Sequence, residues 1–259
     1  MQPRLNIAIK ACRSVSELIV QLYLTKNQDE LILSKGINEY LYSHIVNIIM
    51  DAYPFGETDI LGPSPLNFIP DSIKNKNTCK VNNIFDYKEK YIWVINPIDC
   101  YENFINKLPL FNVSITIFHK RCAYATVIFN PIKDEMTTAI KGNGAMQENK
   151  KIRHTKNHEK RLLYSIKSSV IEDKLRAYID GESRNIGSPS TEFAYLASGS
   201  LDLIIYPSID ILDSAAGILL CKESGILISD IEGNDDIYNS TSIIAAKSWL
   251  HSKILKLLN

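Results

Sequence analysis

The stretch from 93 to 104, Trp-Val-Ile-Asn-Pro-Ile-Asp-Cys-Tyr-Glu-Asn-Phe, constrains the fold more than any other part of the chain. It begins within an apolar segment that predicts a strand over 91–95, and Pro97 ends that strand because proline has no amide donor. Asp99 then precedes a polar segment that predicts the start of a helix. Backbone N–H groups converge where strands end and helices begin, so such places bind ligands in α/β proteins. The stretch therefore predicts a strand-end ligand site.

Apolar residues recur at helical spacing in the first fifty residues. One stripe runs from Leu5 to Ile19 and a second from Leu41 to Ala52, and Pro54 ends the second. The spacing predicts two helices, and their apolar faces predict that they pack together. The segment 56–90 is rich in Pro, Asn and Lys, which predicts a long irregular connection before the strand.

The rest of the chain predicts two subdomains. Three β-rich segments between 113 and 140 are separated by turn residues and predict an antiparallel meander. After a polar tract that ends at Lys160, strand and helix patterns alternate, including a helix predicted over 213–223. We therefore expect an N-terminal α+β subdomain at 1–150 and a C-terminal α/β subdomain at 151–259.

Composition excludes some partners. The 29 basic and 29 acidic side chains balance, so no net field would draw the chain to nucleic acid or an anionic membrane. No apolar run approaches the length of a membrane span, and no N-terminal signal peptide is apparent. The five cysteines are scattered and odd in number, which is typical of reduced thiols, and we expect a cytoplasmic protein.

The stretch 93–104 resembles the motif Trp-x-x-Asp-Pro-Ile-Asp-Gly-Thr-x-Asn-Phe of the inositol monophosphatase family. Six positions match it, namely Trp93, Pro97, Ile98, Asp99, Asn103 and Phe104. Later segments at 142–145, 184–199 and 212–217 resemble further family motifs in the same order, so the resemblance covers nearly the whole chain. It implies the family's layered αβαβα sandwich, with α+β and α/β parts.

The resemblance also implies a chemistry. Family members hydrolyse phosphomonoesters such as inositol phosphates with Mg²⁺, which prefers hard oxygen ligands. On this chain the implied metal ligands are Asp99, Asp213 and the Ile98 carbonyl. Asn96 stands where the family has another metal-binding aspartate, and a neutral amide offers one carbonyl oxygen without charge.

Several other working positions depart from the family pattern. Cys100 replaces a glycine, and Tyr101 replaces the threonine that helps to activate water. Asn38 falls where that threonine has an acidic partner, so the catalytic positions hold Asp99, Asn38 and Tyr101. Pro63-Ser64 follows Leu61-Gly62 in place of two glutamates.

The implied substrate contacts are altered as well. They fall on Asp99, Cys100, Tyr101, Ser188, Tyr206 and Asp213. Tyr206 stands where inositol-phosphate enzymes have a glutamate that orients sugar hydroxyls, and Pro189 lacks a backbone N–H that would face substrate. Ser188 alone keeps its type in that segment.

Two functional hypotheses follow. The first is a family member with weak or lost catalysis that is kept for binding. Bacterial extragenic suppressor proteins resemble this chain, and their family includes members that act in transcription or ribosome biogenesis through protein contacts, commonly as homodimers. The second is an active Mg²⁺-dependent phosphatase for a phosphorylated small molecule, with a rearranged site in which an acid replaces a lost ligand. The candidate replacements are Glu57, Asp59, Glu102 and Asp210.

Structural alternatives remain for three of these residues. Asp213 begins a predicted helix, where an aspartate caps backbone donors as readily as it binds metal. Asp99 is likewise a candidate cap for the helix toward Phe104. Cys100 is more simply a buried apolar filler than a nucleophile, because no histidine lies near it in sequence.

Overall fold

The structure is a computed structural model that describes residues 3–25, 36–54, 58–63, 90–153 and 161–259. The chain divides into two compact units, Met1–Thr138 and Ala139–Asn259. The division falls inside the last strand of the β-meander, whereas the sequence placed a boundary at 150. Within the described ranges, no helix is both long and apolar enough to cross a membrane.

The first unit combines helices with a sheet. Its helices are α1 (Pro3–Ser14), α2 (Ser16–Leu24), α3 (Ile37–Ala52) and α4 (Tyr101–Ile105). Its strands are β1 (Thr58–Leu61), β2 (Tyr91–Asn96), β3 (Val113–His119), β4 (Cys122–Asn130) and β5 (Glu135–Ile140), the last of which crosses the division.

Strands β1 to β5 lie side by side in chain order. The three predicted meander segments are β3, β4 and β5, which lie side by side in that order, with β3 antiparallel to β4. β2 is antiparallel to β3, and β1 is parallel to β2. The sequence missed β1 and placed an irregular connection there. β1 has only four residues and is followed by Gly62 and Pro63, so it carries too little periodicity to be recognised.

The N-terminal helical stripe is interrupted. A single helix from Leu5 to Ile19 was predicted, but Val15 is a turn between α1 and α2. The Ser14 hydroxyl donates to the Ala11 carbonyl at 2.7 Å, and such back-bonding competes with the helix ladder. The predicted packing of the two N-terminal helical segments is confirmed, because α1 contacts α3 as well as β3 and β4.

The second unit begins with a hairpin and continues as an α/β sheet. The hairpin pairs β6 (Gly144–Gln147) with β7 (Lys150–Ile152). The later strands are β8 (Leu162–Ile166), β9 (Gly181–Ser183), β10 (Leu203–Tyr206), β11 (Leu227–Ser229) and β12 (Ile243–Ala246). The helices are α5 (Ser169–Arg176), α6 (Pro189–Ser198), α7 (Ile211–Ser224) and α8 (Ser248–Leu258).

The five-stranded sheet has the order β11-β12-β10-β8-β9. β9, β8 and β10 are parallel, and β12 is antiparallel to both β10 and β11. Alternate residues of β10 enter two cores: Ile204 and Tyr206 pack with α6 and α7, and Leu203 and Ile205 pack with α5 and α8. Because β-strand side chains alternate in direction, helices cover both faces of the sheet.

The strand order of this sheet has a switch point between β8 and β10. β8 and β10 are parallel neighbours, but β8 leads through α5 to β9 on one side, and β10 leads through α7 to strands on the other side. Ligands of open α/β sheets bind outside the carboxyl ends of strands at such a switch point. The carboxyl ends of β8 and β10 therefore lie at the switch point of this sheet, and we refer to this place as the crevice.

Candidate functional site

The strand-end stretch of the first unit begins in β2, whose Trp93 is fully buried and registers with Ile60 of β1 and Ile117 of β3. The strand ends at Asn96, which is also buried and lies opposite Ser114. Helix α4 begins at Tyr101. Asp99 thus lies in the short connection between a strand end and a helix start, as the sequence predicted.

Asp99 bonds reciprocally to one residue across the loop. Its backbone N–H donates to the Asn112 carbonyl at 3.1 Å, and its Oδ1 accepts the Asn112 N–H at 2.7 Å. The cap of α4 is Cys100, which makes no side-chain capping bond. The Asp99 carboxylate fixes the loop to the segment that enters β3.

The matching frame positions of the motif have structural contacts. The Asn103 side chain donates to the Leu110 carbonyl at 2.6 Å. Phe104 is fully buried, and its ring meets Phe111 edge-on with the ring centres 5.4 Å apart. These contacts give Asn103 and Phe104 a structural role in this part of the motif.

Cys100 takes the glycine position without strain. Its φ of −142° and ψ of 91° are extended values open to any residue, so this loop does not use a glycine-only conformation. Burial raises the pKa of the thiol, the charges of Asp99 and Glu102 raise it further, and hydrogen bonds from backbone N–H groups oppose the rise. The thiol stays protonated at neutral pH, which argues against a nucleophilic role.

The predicted water-activating pair is divided between two helices. Asn38 lies in the first turn of α3, and Tyr101 is the first residue of α4. The Asn38 Oδ1 is buried and accepts no hydrogen bond from the residues that the structure describes, so Tyr101 does not donate to it. An amide cannot take up a proton at neutral pH, so Asn38 does not supply a general base.

Of the acids proposed as replacement metal ligands, Asp59 and Glu102 lie in settings that do not suggest a metal site. Asp59 is buried on β1 with its carboxylate 3.5 Å from the Lys90 ammonium. It registers with Ile92, four residues before Asn96 and therefore roughly 13 Å from the end of that strand. Glu102 is exposed on α4. Glu57, like Ser64, lies outside the described residues.

In the second unit, the cap of α7 is not the predicted one. The helix begins at Ile211, two residues before the predicted start, and the Asp210 carboxylate accepts the Asp213 N–H at 3.0 Å. The capping alternative for Asp213 is therefore wrong, because Asp210 fills that role. Asp213 lies half-buried in the first turn, where a carboxylate complements the helix dipole.

Ser188 and Tyr206 both lie near the crevice of the second unit. Ser188 is buried and caps α6, since its Oγ accepts the Thr191 N–H at 3.2 Å. Tyr206 ends β10, and its hydroxyl donates to the Glu192 carboxylate at 2.5 Å. Tyr206 stands where the family resemblance implies a hydroxyl-orienting glutamate, and its hydroxyl thus bonds to another residue of the protein.

Two residues of this crevice were missed from the sequence. Glu192 is fully buried, and Lys167 lies directly after β8 with its Nζ 2.7 Å from Glu192 Oε1. The available signal was Glu192 itself, a charged residue beside the apolar side chains of α6. A glutamate near a serine cap is ordinarily an exposed first-turn residue, so the pattern did not predict a buried pair.

A metal site needs several donor side chains close together. Among the described residues, no three histidine, cysteine or acidic side chains lie together in an arrangement that holds a metal ion. The first unit contributes Asp99 and the second unit Asp213 to the predicted ligand set. Neither residue lies in a cluster of further acids within the described ranges.

Comparisons with known proteins identify the family. Residues 69–259 match the family described as Inositol monophosphatase family. The Nus factor SuhB of Buchnera aphidicola subsp. Baizongia pistaciae is 30% identical over 272 residues, covering 98% of this chain and 96% of that protein. The inositol-1-monophosphatase of Mesorhizobium japonicum is 28% identical over 182 residues, covering 63% of this chain and 66% of that protein.

A solved structure supports the same assignment at the level of the fold. The extragenic suppressor protein suhB of Bartonella henselae aligns with a TM-score of 0.81 and 23% identity, covering 100% of this chain and 99% of that one. The layered α/β sandwich predicted from the sequence is confirmed by this likeness. By family match, relatives and fold, the chain belongs to the inositol monophosphatase family.

Proposed function

We propose that this protein is an inositol monophosphatase-family member whose phosphatase reaction is weak or lost and which acts in the cytoplasm by binding. The observation that carries this proposal is the state of the strand-end stretch in the first unit. Asp99 binds the Asn112 backbone, while Asn96, Cys100 and Tyr101 occupy its neighbouring working positions. The motif positions that hold the stretch in the fold are retained, but the neutral Asn96 stands where the family has a metal-binding aspartate.

The donor set does not fit a cluster of Mg²⁺ ions. Two or three divalent ions repel one another strongly, and several carboxylates are needed to offset that repulsion. The described residues offer no group of three acids, histidines or cysteines for this purpose, and Asp59 is paired with Lys90. We expect Mg²⁺ binding to be weak or absent, and we assign no reaction step to it.

The binding role we propose is a protein contact in transcription or ribosome biogenesis. The Nus factor SuhB of Buchnera aphidicola matches nearly the full length of this chain, and similar Nus factors from Haemophilus influenzae and Pseudomonas aeruginosa match 98% of it. Those names describe the relatives. For this chain they support a transcription-related protein partner, and we propose a homodimer as the acting form.

A second candidate is an active Mg²⁺-dependent phosphatase for a phosphorylated small molecule. One observation favours it: Asp210 caps α7, so helix capping does not account for the carboxylate at position 213. In that case Asp99, Asp213 and the Ile98 carbonyl are the ligands of one ion. One or two carboxylates with bound phosphate are enough for some Mg²⁺ sites.

Phosphate release distinguishes the two candidates. The purified protein is incubated with inositol 1-phosphate over a range of Mg²⁺ concentrations, beside a matched variant that combines Asp99→Asn with Asp213→Asn. We expect equal phosphate release from both, at the level of a protein-free control. A Mg²⁺-dependent rate that the paired changes abolish would establish the phosphatase and overturn the proposal.

A further inference from the structure

The crevice at the carboxyl ends of β8 and β10 contains a charged network. Glu192 is completely buried. Its Oε1 accepts the Lys167 ammonium at 2.7 Å and the Ile186 N–H at 3.1 Å, and its Oε2 accepts the Tyr206 hydroxyl. Donors therefore engage both carboxylate oxygens, which is how a buried charge is stabilised.

In this network the group that a ligand can reach is a hydrogen-bond donor, whereas a glutamate at position 206 would be an acceptor. A glutamate at position 206 would offer acceptors to sugar hydroxyls, but the Tyr206 hydroxyl is directed at Glu192 and the residue is 5% exposed. Glu192 is itself inaccessible to a ligand. The Lys167 side chain is 19% exposed, and an ammonium donates hydrogen bonds without accepting any. The crevice therefore favours a ligand that brings acceptors.

The Lys167 ammonium is held in place and keeps a donor for a ligand. Among the described residues it donates to Glu192 and to the Asn185 side-chain carbonyl, which engages two of its three N–H groups. Its Nζ also lies 5.8 Å from the centre of the Tyr206 ring. A lysine fixed by two acceptors loses less side-chain entropy on binding than a mobile surface lysine. Lys167 is therefore organised in advance for one more acceptor.

The surrounding backbone adds positive potential. Helix α5 begins at Ser169, two residues after Lys167, and α6 begins at Pro189, beyond Asn185. The start of a helix carries partial positive charge that favours anions. The Glu192 carboxylate offsets the positive charge of Lys167. Its oxygens also accept the Ile186 N–H and the Tyr206 hydroxyl.

We propose that Lys167 binds an anionic group, a phosphate or a carboxylate, at the crevice between the ends of β8 and β10, without needing a metal ion. Glu192 and Asn185 are positioning residues that hold the ammonium. This inference goes beyond the proposed function, because it assigns a ligand class to the crevice of the second unit. The ligand contact has moved from a hydroxyl acceptor at position 206 to an anion donor at position 167.

The test is metal-free equilibrium binding in EDTA at low ionic strength, measured by titration calorimetry on the full chain. Four probes separate the chemistry: inorganic phosphate, acetate, inositol 1-phosphate and inositol. We expect binding of the anions and none of inositol, and Lys167→Met should raise the Kd for phosphate at least tenfold. The matched control is Lys174→Met, which removes an exposed lysine of α5 whose ammonium donates to the Leu258 carbonyl, and it should bind like the wild type.

Further variants keep the test decisive. Because Lys167→Met leaves Glu192 buried without its cation, the paired change Lys167→Met with Glu192→Met removes both charges and should fold without binding phosphate. Glu192→Gln keeps an acceptor for the ammonium and should bind phosphate within about threefold of the wild type, whereas Glu192→Leu should weaken binding at least tenfold. If Glu192 had a purely structural role, Glu192→Gln and Glu192→Leu would both lower the melting temperature, and their Kd values for phosphate would not differ.

The inference is overturned if inositol binds as tightly as phosphate, or if Lys167→Met binds phosphate like the wild type. Inositol 1-phosphate that binds much more tightly than inorganic phosphate would also contradict it, because hydroxyl recognition would then dominate. These results are independent of phosphate release in Mg²⁺. A protein that neither hydrolyses inositol 1-phosphate nor binds phosphate leaves the proposed function standing and removes only this inference.

Discussion

The strand ends of the two units hold their polar side chains in opposite ways. In the first unit, the Asp99 carboxylate and the Asn103 side chain bond to backbone groups of Asn112 and Leu110. In the second unit, Lys167, Glu192 and Tyr206 depend on one another. A side chain bonded to backbone is replaced at limited cost, whereas a member of a buried charge network is not.

The largest predicted effect breaks the network of the second unit. Replacing Glu192 by Ala leaves the Lys167 ammonium, the Tyr206 hydroxyl and the Ile186 N–H without their acceptor. Breaking a buried ion pair by removing one partner costs about 3–5 kcal/mol. We expect that loss in the free energy of unfolding, measured by urea denaturation followed by circular dichroism.

The paired change Lys167→Met with Glu192→Met is the matched control, since apolar replacement of a whole buried pair is often neutral. It should recover most of the stability that Glu192→Ala loses. If Glu192→Ala unfolds at the same urea concentration as the wild type, the mutual dependence of these side chains is disproved.

A smaller effect is expected at Asp99 in the first unit. Asp99→Ala removes the acceptor for the Asn112 N–H, and a hydrogen bond to a charged group contributes about 1.5–3 kcal/mol. Asp99→Asn keeps a side-chain oxygen and should lose less than half as much. Urea unfolding of the two variants, compared with the wild type, measures both values. Equal losses would show that the charge, rather than the bond to Asn112, is what the loop requires.

The sequence predicted the elements of the fold better than their ends. Apolar periodicity identified α3 and the meander, and the family resemblance identified the layered fold. Capping was one of two roles left open for Asp213, and the cap is Asp210, because both aspartates precede the same apolar run and only backbone geometry selects between them. Local patterns do not reveal which of two nearby acids accepts the first amide protons.

In the candidate site, too, the sequence predicted a local feature and missed a long-range contact. Asp99 was correctly placed between a strand and a helix, because Pro97 marks the strand end in the sequence. The contact between Lys167 and Glu192 joins residues 25 positions apart and was not predicted. Such a contact depends on the order of strands in a sheet, which hydrophobic periodicity does not encode.

A third prediction tests whether restoring a family residue restores activity in the first unit. Cys100 has an extended backbone, so Cys100→Gly relieves no strain and adds flexibility to the unfolded chain, at a cost of about 0.5–1 kcal/mol. Phosphate release from inositol 1-phosphate should stay at the protein-free level. A Mg²⁺-dependent rate in Cys100→Gly would show that this position alone had silenced the site.

The smallest effect at neutral pH, and one confined to the second unit, concerns His251. Its ring nitrogen lies 3.0 Å from the Ser229 hydroxyl in a buried position. Burial lowers the pKa of the imidazole below its ordinary value of 6.5, although a backbone hydrogen bond at Ile244 opposes the shift. The unfolded chain therefore takes up a proton at a higher pH than the folded chain, and unfolding is favoured as the pH falls below 6.5.

His251→Gln should reduce this dependence. Between pH 7.5 and 5.5 the wild type should lose more free energy of unfolding than His251→Gln, and the two should differ least at pH 7.5, where the imidazole is neutral in both states. His44→Gln changes an exposed histidine of the first unit and should lose stability as the wild type does. Equal losses in the wild type and His251→Gln would mean that the buried imidazole does not titrate with unfolding, and that the acid sensitivity of the second unit lies in its carboxylates.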